Sequence, residues 1–253
     1  MVKAGLQDCI RADWPAPENV QAFSTTRNNG FSAGSFAGLN LAQHVEDDGS
    51  AVVRNRDWLI EHFQLPSAPV WLQQTHSNTV IAADEFQQCL VTPEADASWT
   101  ASTGVVCAVL TADCLPVFFS SQQGDRVAVT HAGWRGVLNG VISASFAAMN
   151  MRAEDCLVWL GPAIGAEAFE VGADVYQAFT SKHAENSTAF RQKDEQHWLC
   201  DIYQLARIEL QQLGIQSVHG GSLCTYSDEQ QFYSFRRDGA RTGRMASLIW
   251  LAE

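Results

Sequence analysis

The chain has 253 residues, 28 of them acidic and 16 basic, which leaves a net charge of −12. A field of that sign excludes nucleic acid and anionic membrane as partners held by overall charge, so any anion must be met by a local cluster of Arg or Lys. An apolar content of 46%, with eight Trp and thirteen Phe, excludes disorder and supplies a core for one large domain over residues 1–253.

In chain order, the opening MVKAGLQDCIRADWPAP lacks an apolar signal-peptide core. No later run approaches about 18 uninterrupted apolar residues, which points to a soluble cytoplasmic protein. AFSTTRNNGFSAGSFAGLNLAQHVEDD reads as a strand leading into a long ordered loop, and such loops inside a domain are usually functional. Val53, Leu59, Ile60 and Phe63 predict a helix from Ser50 to Phe63 with Ser50 as N-cap. Strands are expected at Val70 to Gln73 and Thr79 to Ala82, with His76 on the turn between them. Gly104 to Leu110 is continuously apolar, the pattern of a strand buried on both faces.

PVFFS (116–120) and RVAVT (126–130) flank a polar Ser-Gln-Gln-Gly-Asp break and predict a β-hairpin. Val137 to Met149 reads as an amphipathic helix directly after HAGWRG, and Leu157 to Pro162 as a buried strand ending in a turn. Helices follow at Ala173 to Phe179 and Ile202 to Leu213, the second closed by Gly214. Strands return at Ser217 to Gly220 and Ser247 to Leu251. The mixture is α/β or α+β without a regular βαβ rhythm.

Chemistry concentrates at His76 in LQQTHSNTV, Cys114 in LTADCLPVFF and His131 in VTHAGWRG. Two imidazoles and a thiol are the ligand set of a catalytic zinc site that keeps its fourth position open. A turn centred between Gln122 and Gln123 sets Cys114 opposite His131, with Cβ atoms ~4.5 to 5.5 Å apart. That spacing suits a shared zinc bonded at ~2.3 Å to sulfur and ~2.0 Å to nitrogen. Asp113 is placed to orient a ligand or to act as acid or base. The glycines of HAGWRG either shape a strand-to-helix turn or, with Arg135, form an anion cradle. Arg236, Arg237, Arg241 and Arg244 make a second basic cluster suited to bidentate oxyanion binding. GPAIGAEAFEVG lacks the GxGxxG and GxxxxGK[ST] patterns, so it gives no support to a nucleotide fold of either kind. The seven cysteines are odd in number and scattered, which favours a reducing compartment over a disulfide framework.

These stretches resemble the YfiH-like, or laccase-domain, family of bacterial proteins. The resemblance runs in one order over nearly the whole length: GFSAGSFAGLNLAQHVEDD, Asn55-Arg56, QQTHS, the ADA at 95–97, TADCLPV, HAGWRG, GPAIG with FEVG, and FRRDGARTGR. After ADA the family commonly continues Leu-Val-Thr, whereas this chain has Ser98-Trp99-Thr100. The resemblance implies an α/β fold, a mixed β-sheet sandwich flanked by helices and similar to the cysteine deamidase domain of a bacterial cytotoxic factor. It places zinc ligands on His76, Cys114 and His131. It also implies purine nucleoside phosphorylase activity on adenosine, inosine and 5′-methylthioadenosine, together with adenosine deaminase activity. Cys114, His131 and Asp113 are then the catalytic candidates, and Arg135, Asn40, Gln74, Arg237 and Arg244 the candidates for binding nucleoside and phosphate.

Two other labels attach to the family, copper polyphenol oxidase and removal of wrongly incorporated serine-containing cell-wall precursors. A multicopper oxidase needs more histidines than the seven here and usually His-x-His pairs, of which there are none. A single His2Cys copper remains compatible with the ligand set. The chief rival to the zinc enzyme is a metal-free Cys114 and His131 pair attacking an amide. A non-enzymatic metal-binding module would need a fourth protein ligand.

Overall fold

The computed structural model describes residues 8–89 and 91–253. In chain order the elements begin with β1 (Cys9–Arg11), β2 (Val20–Thr25), α1 (Gly49–His62), β3 (Val80–Ala82), β4 (Ala97–Thr100), β5 (Cys107–Thr111) and β6 (Leu115–Ser121). Next come β7 (Val127–Ala132), α2 (Trp134–Leu138), α3 (Val141–Ala148), β8 (Cys156–Leu160), β9 (Glu170–Gly172) and α4 (Ala173–Lys182). The remainder are β10 (Phe190–Gln192), β11 (His197–Cys200), α5 (Ile202–Gln212), β12 (Ser217–Gly220), α6 (Phe235–Asp238) and β13 (Met245–Leu251).

A six-stranded sheet runs in the order β12-β8-β6-β7-β4-β3, and a four-stranded sheet in the order β1-β2-β13-β5. A small sheet, β10-β11-β9, stands beside them. Two pairs of the large sheet are parallel, β12 with β8 and β3 with β4, and the rest are antiparallel. The architecture is a mixed sandwich with helices outside it.

Side chains alternate along each central strand and so assign its two faces to different layers. Val117 and Phe119 of β6 pack with Val141, Ile142 and Leu205 on the helix side, while Phe118 joins Val109 and Ile249 between the two large sheets. In β5, Ala108 and Leu110 face outward to Leu59 of α1 and to Phe23. Every residue of β5, β6 and β13 is buried, as the uninterrupted apolar run at 104–110 predicts for its own strand. Trp99, inside the Ser-Trp-Thr departure, packs against the helix-side core.

Four expectations are corrected. Val70 to Gln73 forms no strand and makes only single bridges, Val70 to Cys107 and Gln73 to Glu94. The β6–β7 hairpin pairs Pro116 with His131, two positions from the expected register, because its turn closes between Ser121 and Arg126. Asp125 draws the turn toward itself by accepting from the Ser121 hydroxyl at 2.6 Å. The helix expected at Val137 to Met149 is two helices, since Gly140 adopts φ +83° and ends α2 before α3 begins. Finally, Asp48 caps α1 by accepting the Ser50 amide at 2.9 Å, and Ser50 lies within the helix with Val53 exposed. No helix among the described residues is long and apolar enough to cross a membrane.

Candidate metal centre and active site

His76 sits on the loop before β3, Cys114 immediately before β6, and His131 within β7. One ligand atom from each lies within 4.8 Å of the others, and Cys114 Sγ is 3.9 Å from His76 Nε2. The register correction leaves this meeting intact. A shift of two preserves side-chain parity, so Cys114 becomes a diagonal neighbour of His131 on the same face. Among the described residues no second cluster of this kind exists, which does not suit a multicopper oxidase.

The group that joins these residues is Asp96, the fully buried centre of the ADA at 95–97, to which the sequence reading gives no role. Its Oδ1 accepts from His131 Nδ1 at 2.7 Å and from the His76 amide at 3.0 Å. Its Oδ2 accepts from the amides of Thr75 (3.2 Å) and Ser77 (2.6 Å) and from the Ser77 hydroxyl (2.7 Å). Three successive amides therefore wrap one carboxylate, with His76 held at φ +60°. With Nδ1 engaged, His131 presents Nε2 to Cys114, the arrangement by which a carboxylate orients a metal-binding histidine.

Space is also set by Gly133, where a Cβ would come within 2.8 Å of the His76 ring and 3.0 Å of Cys114 Sγ. Burial would raise the Cys114 thiol, but the charge and hydrogen bonding of His131, helped by His76, bring it down to about 6. Burial likewise opposes a charged His131, yet Cys114 and Asp96 push its imidazole up to about 9. The centre thus favours a thiolate beside an imidazolium when no metal intervenes.

The three residues open onto a cavity of about 380 Å³, within the size range of small-molecule sites. Ile164, Phe169, Trp134 and Phe235 supply apolar wall, and His44, Arg135, Arg236 and Arg244 supply the cationic and polar edge. Of the residues proposed from sequence to bind substrate, Arg135 and Arg244 line the cavity. Gln74 also lines the cavity, but its amide is spent on Leu110, donating at 2.8 Å and accepting at 2.7 Å.

Asn40 and Arg237 lie outside the lining. Asn40 is buried and accepts the Arg244 amide at 2.9 Å, and Arg237 clamps the carbonyls of Thr225, Tyr226 and Phe232. Asp113, at φ +89° beside Cys114, has both carboxylate oxygens engaged, by the Thr225 hydroxyl at 2.6 Å and by the Ser234 hydroxyl and Arg236 amide at 3.0 and 2.7 Å. It is built to hold the C-terminal arm against the site.

Fold and centre together define an α/β sandwich carrying one three-residue metal-capable cluster in a small-molecule cavity. Residues 21–252 match the family described as multi-copper polyphenol oxidoreductase laccase. The chain belongs to this laccase-domain family, in its YfiH-type branch. It is 49% identical over 245 residues to a purine nucleoside phosphorylase of Pseudomonas aeruginosa, covering 96% of this chain and 98% of that one. It is 45% identical over 246 residues to the purine nucleoside phosphorylase YfiH of Escherichia coli, covering 97% and 100%. A Neisseria meningitidis crystal structure assigned to DUF152 matches with TM-score 0.93 and 47% identity over 98% of this chain and 100% of that one. YlmD from Geobacillus stearothermophilus matches with TM-score 0.92 and 27% identity over 99% and 98%.

Proposed function

We propose that the protein is a zinc-dependent purine nucleoside phosphorylase of the cytoplasm, converting adenosine or inosine and phosphate to free base and ribose 1-phosphate, and 5′-methylthioadenosine to adenine and 5-methylthioribose 1-phosphate. Adenosine deamination is its lesser activity, and residues 1–253 act as one domain. The observation that carries this reading is the convergence of His76, Cys114 and His131 within 4.8 Å at a cavity edged by arginines. Relatives bearing the phosphorylase name support it.

The donors fit zinc: two imidazoles and a thiolate, one imidazole oriented by Asp96, three ligands in number as in catalytic zinc sites, and all three lining the cavity. A His2Cys set also accepts copper, so metal identity belongs to the test. Bound here, zinc would supply Lewis acidity toward a substrate oxygen or nitrogen. The chain's own residues do the rest. Arg135, Arg236 and Arg244 offer guanidinium donors to the phosphate. Phe169, Trp134 and Phe235 offer apolar surface to the purine, excluding water as the phosphate oxygen bonds to C1′ and the C1′–N9 bond breaks.

The test assays zinc-replete protein and Cys114→Ala on adenosine with and without phosphate, with elemental analysis of the purified protein. Ribose 1-phosphate formed only with phosphate, and lost in Cys114→Ala, is the expected result. Absence of nucleoside turnover by metal-replete protein overturns the reading.

A second reading draws on one specific observation, the Cys114 thiolate beside an imidazolium that Asp96 orients. That is a nucleophile, a general acid for the leaving amine and an orienting carboxylate for amide hydrolysis, with serine-containing peptidoglycan precursors as substrate. Chelator-resistant cleavage of such a precursor without nucleoside turnover would select it.

A further inference from the structure

The three arginines at the cavity differ in a way that separates their roles. Arg135 and Arg236 are exposed, so water solvates their charge. Arg244 is half-buried, and among the described residues no carboxylate lies within ion-pair distance of it, although this chain has 28 acidic side chains. By contrast its neighbours Arg237 and Arg241 are paired, with Asp238 and Glu46. Its Nη1 donates to the carbonyls of Thr242 and Gly243 at 2.7 and 3.0 Å, neither of which carries a charge, and the nearby Asp113 oxygens are already engaged by other donors. A partly desolvated guanidinium without a counter-ion is costly, and an incoming anion removes that cost.

Beside it stands His44, a cavity residue whose ring makes no hydrogen bond among the described residues. Its loop is fixed to the start of β13. The Leu41 amide donates to the Arg244 carbonyl at 3.3 Å, Asn40 accepts the Arg244 amide at 2.9 Å, and Arg56 donates to the Leu41 carbonyl at 2.9 and 3.0 Å. Burial together with the charges of Arg244 and Arg56 keeps the imidazole in its neutral form, which can still donate one N–H.

We infer that Arg244 and His44 form the oxyanion subsite of this cavity, holding a tetrahedral phosphate beside the His–Cys–His centre while Asn40 positions the pair. The inference rests on the phosphorolytic reading for the identity of the anion as free phosphate; the phosphoryl group of a nucleotide has the same chemistry.

The test measures binding of inorganic phosphate and of adenosine 5′-monophosphate directly by calorimetry, alongside KM for phosphate and for adenosine. It uses zinc-replete wild type, Arg244→Gln, Arg244→Lys, His44→Gln and, as a surface control, Arg241→Gln, with melting curves to confirm folding. Arg244→Gln should weaken phosphate binding roughly ten-fold or more, the loss of one charge-assisted hydrogen bond, and His44→Gln by a smaller factor. Adenosine KM should move by less than about two-fold, as uniform loss of one subsite requires. Unchanged phosphate affinity in both variants, or no phosphate binding by wild type, overturns the inference. Binding confined to the nucleotide moves the subsite to a phosphorylated substrate and overturns its assignment to free phosphate. If wild type turns over no nucleoside yet loses phosphate binding through Arg244, phosphorolysis fails and the subsite stands.

Discussion

One carboxylate, Asp96, orients His131, fixes the loop that carries His76 and accepts five hydrogen bonds. Asp96→Asn is expected to weaken metal binding ~10 to 100-fold, the usual cost of losing a carboxylate behind a histidine ligand, as competitive metal titration would read. Burial opposes the Asp96 charge, but hydrogen bonds from His131 and Ser77 hold it down, from 3.8 to about 2. A depressed folded-state value means its contribution, roughly 2 kcal/mol, is complete above its ordinary value and is lost as pH falls through about 2. Wild type minus Asp96→Asn stability should therefore shrink across that acid window, measured by denaturant unfolding at each pH. Gly133→Ala is expected to lower metal occupancy by crowding the His76 ring and Cys114, with secondary structure unchanged by circular dichroism. The ligands are legible in the sequence because their chemistry is distinctive. Asp96 is not, since an Asp in an ADA tripeptide carries no local sign of a histidine 35 positions away.

At the scale of elements, strand faces can be read from apolar runs, while turn positions cannot. Composition alone misplaces the β6–β7 turn because the Ser121 and Asp125 hydrogen bond, a matter of side-chain reach, sets where it closes. Val137 to Met149 reads as one continuous helix because apolar spacing persists through Gly140, even though Asn-Gly is a sequence that favours left-handed backbone. That glycine keeps α2 and α3 as separate rods, and a Cβ placed on it would meet no atom within 4 Å. Gly140→Ala should then cost about 1 to 2 kcal/mol, the penalty of a side chain in the left-handed region without any clash, seen as a modest fall in melting temperature.

Across the whole molecule, distant segments meet around the cavity. The Tyr233 hydroxyl, 197 positions from Phe36, donates toward the carbonyls of Phe36 and Ala37 at 2.9 and 3.1 Å and ties the loop before α1 to the C-terminal arm. Tyr233→Phe is expected to destabilise by about 1 to 3 kcal/mol, as for a buried carbonyl left without its donor, in chemical denaturation. Such pairings follow from topology and have no local signature. The widest of them is β13, last strand in chain order yet seated between β2 and β5, with all seven residues buried. During translation, then, the neighbours of β13 are made first and wait with bare edges until about 250 residues have left the ribosome, an interval in which unpaired strands invite aggregation. A chain made only as far as β7 has every candidate ligand and no finished cavity, so metal captured early would meet a site that the last strand has yet to brace.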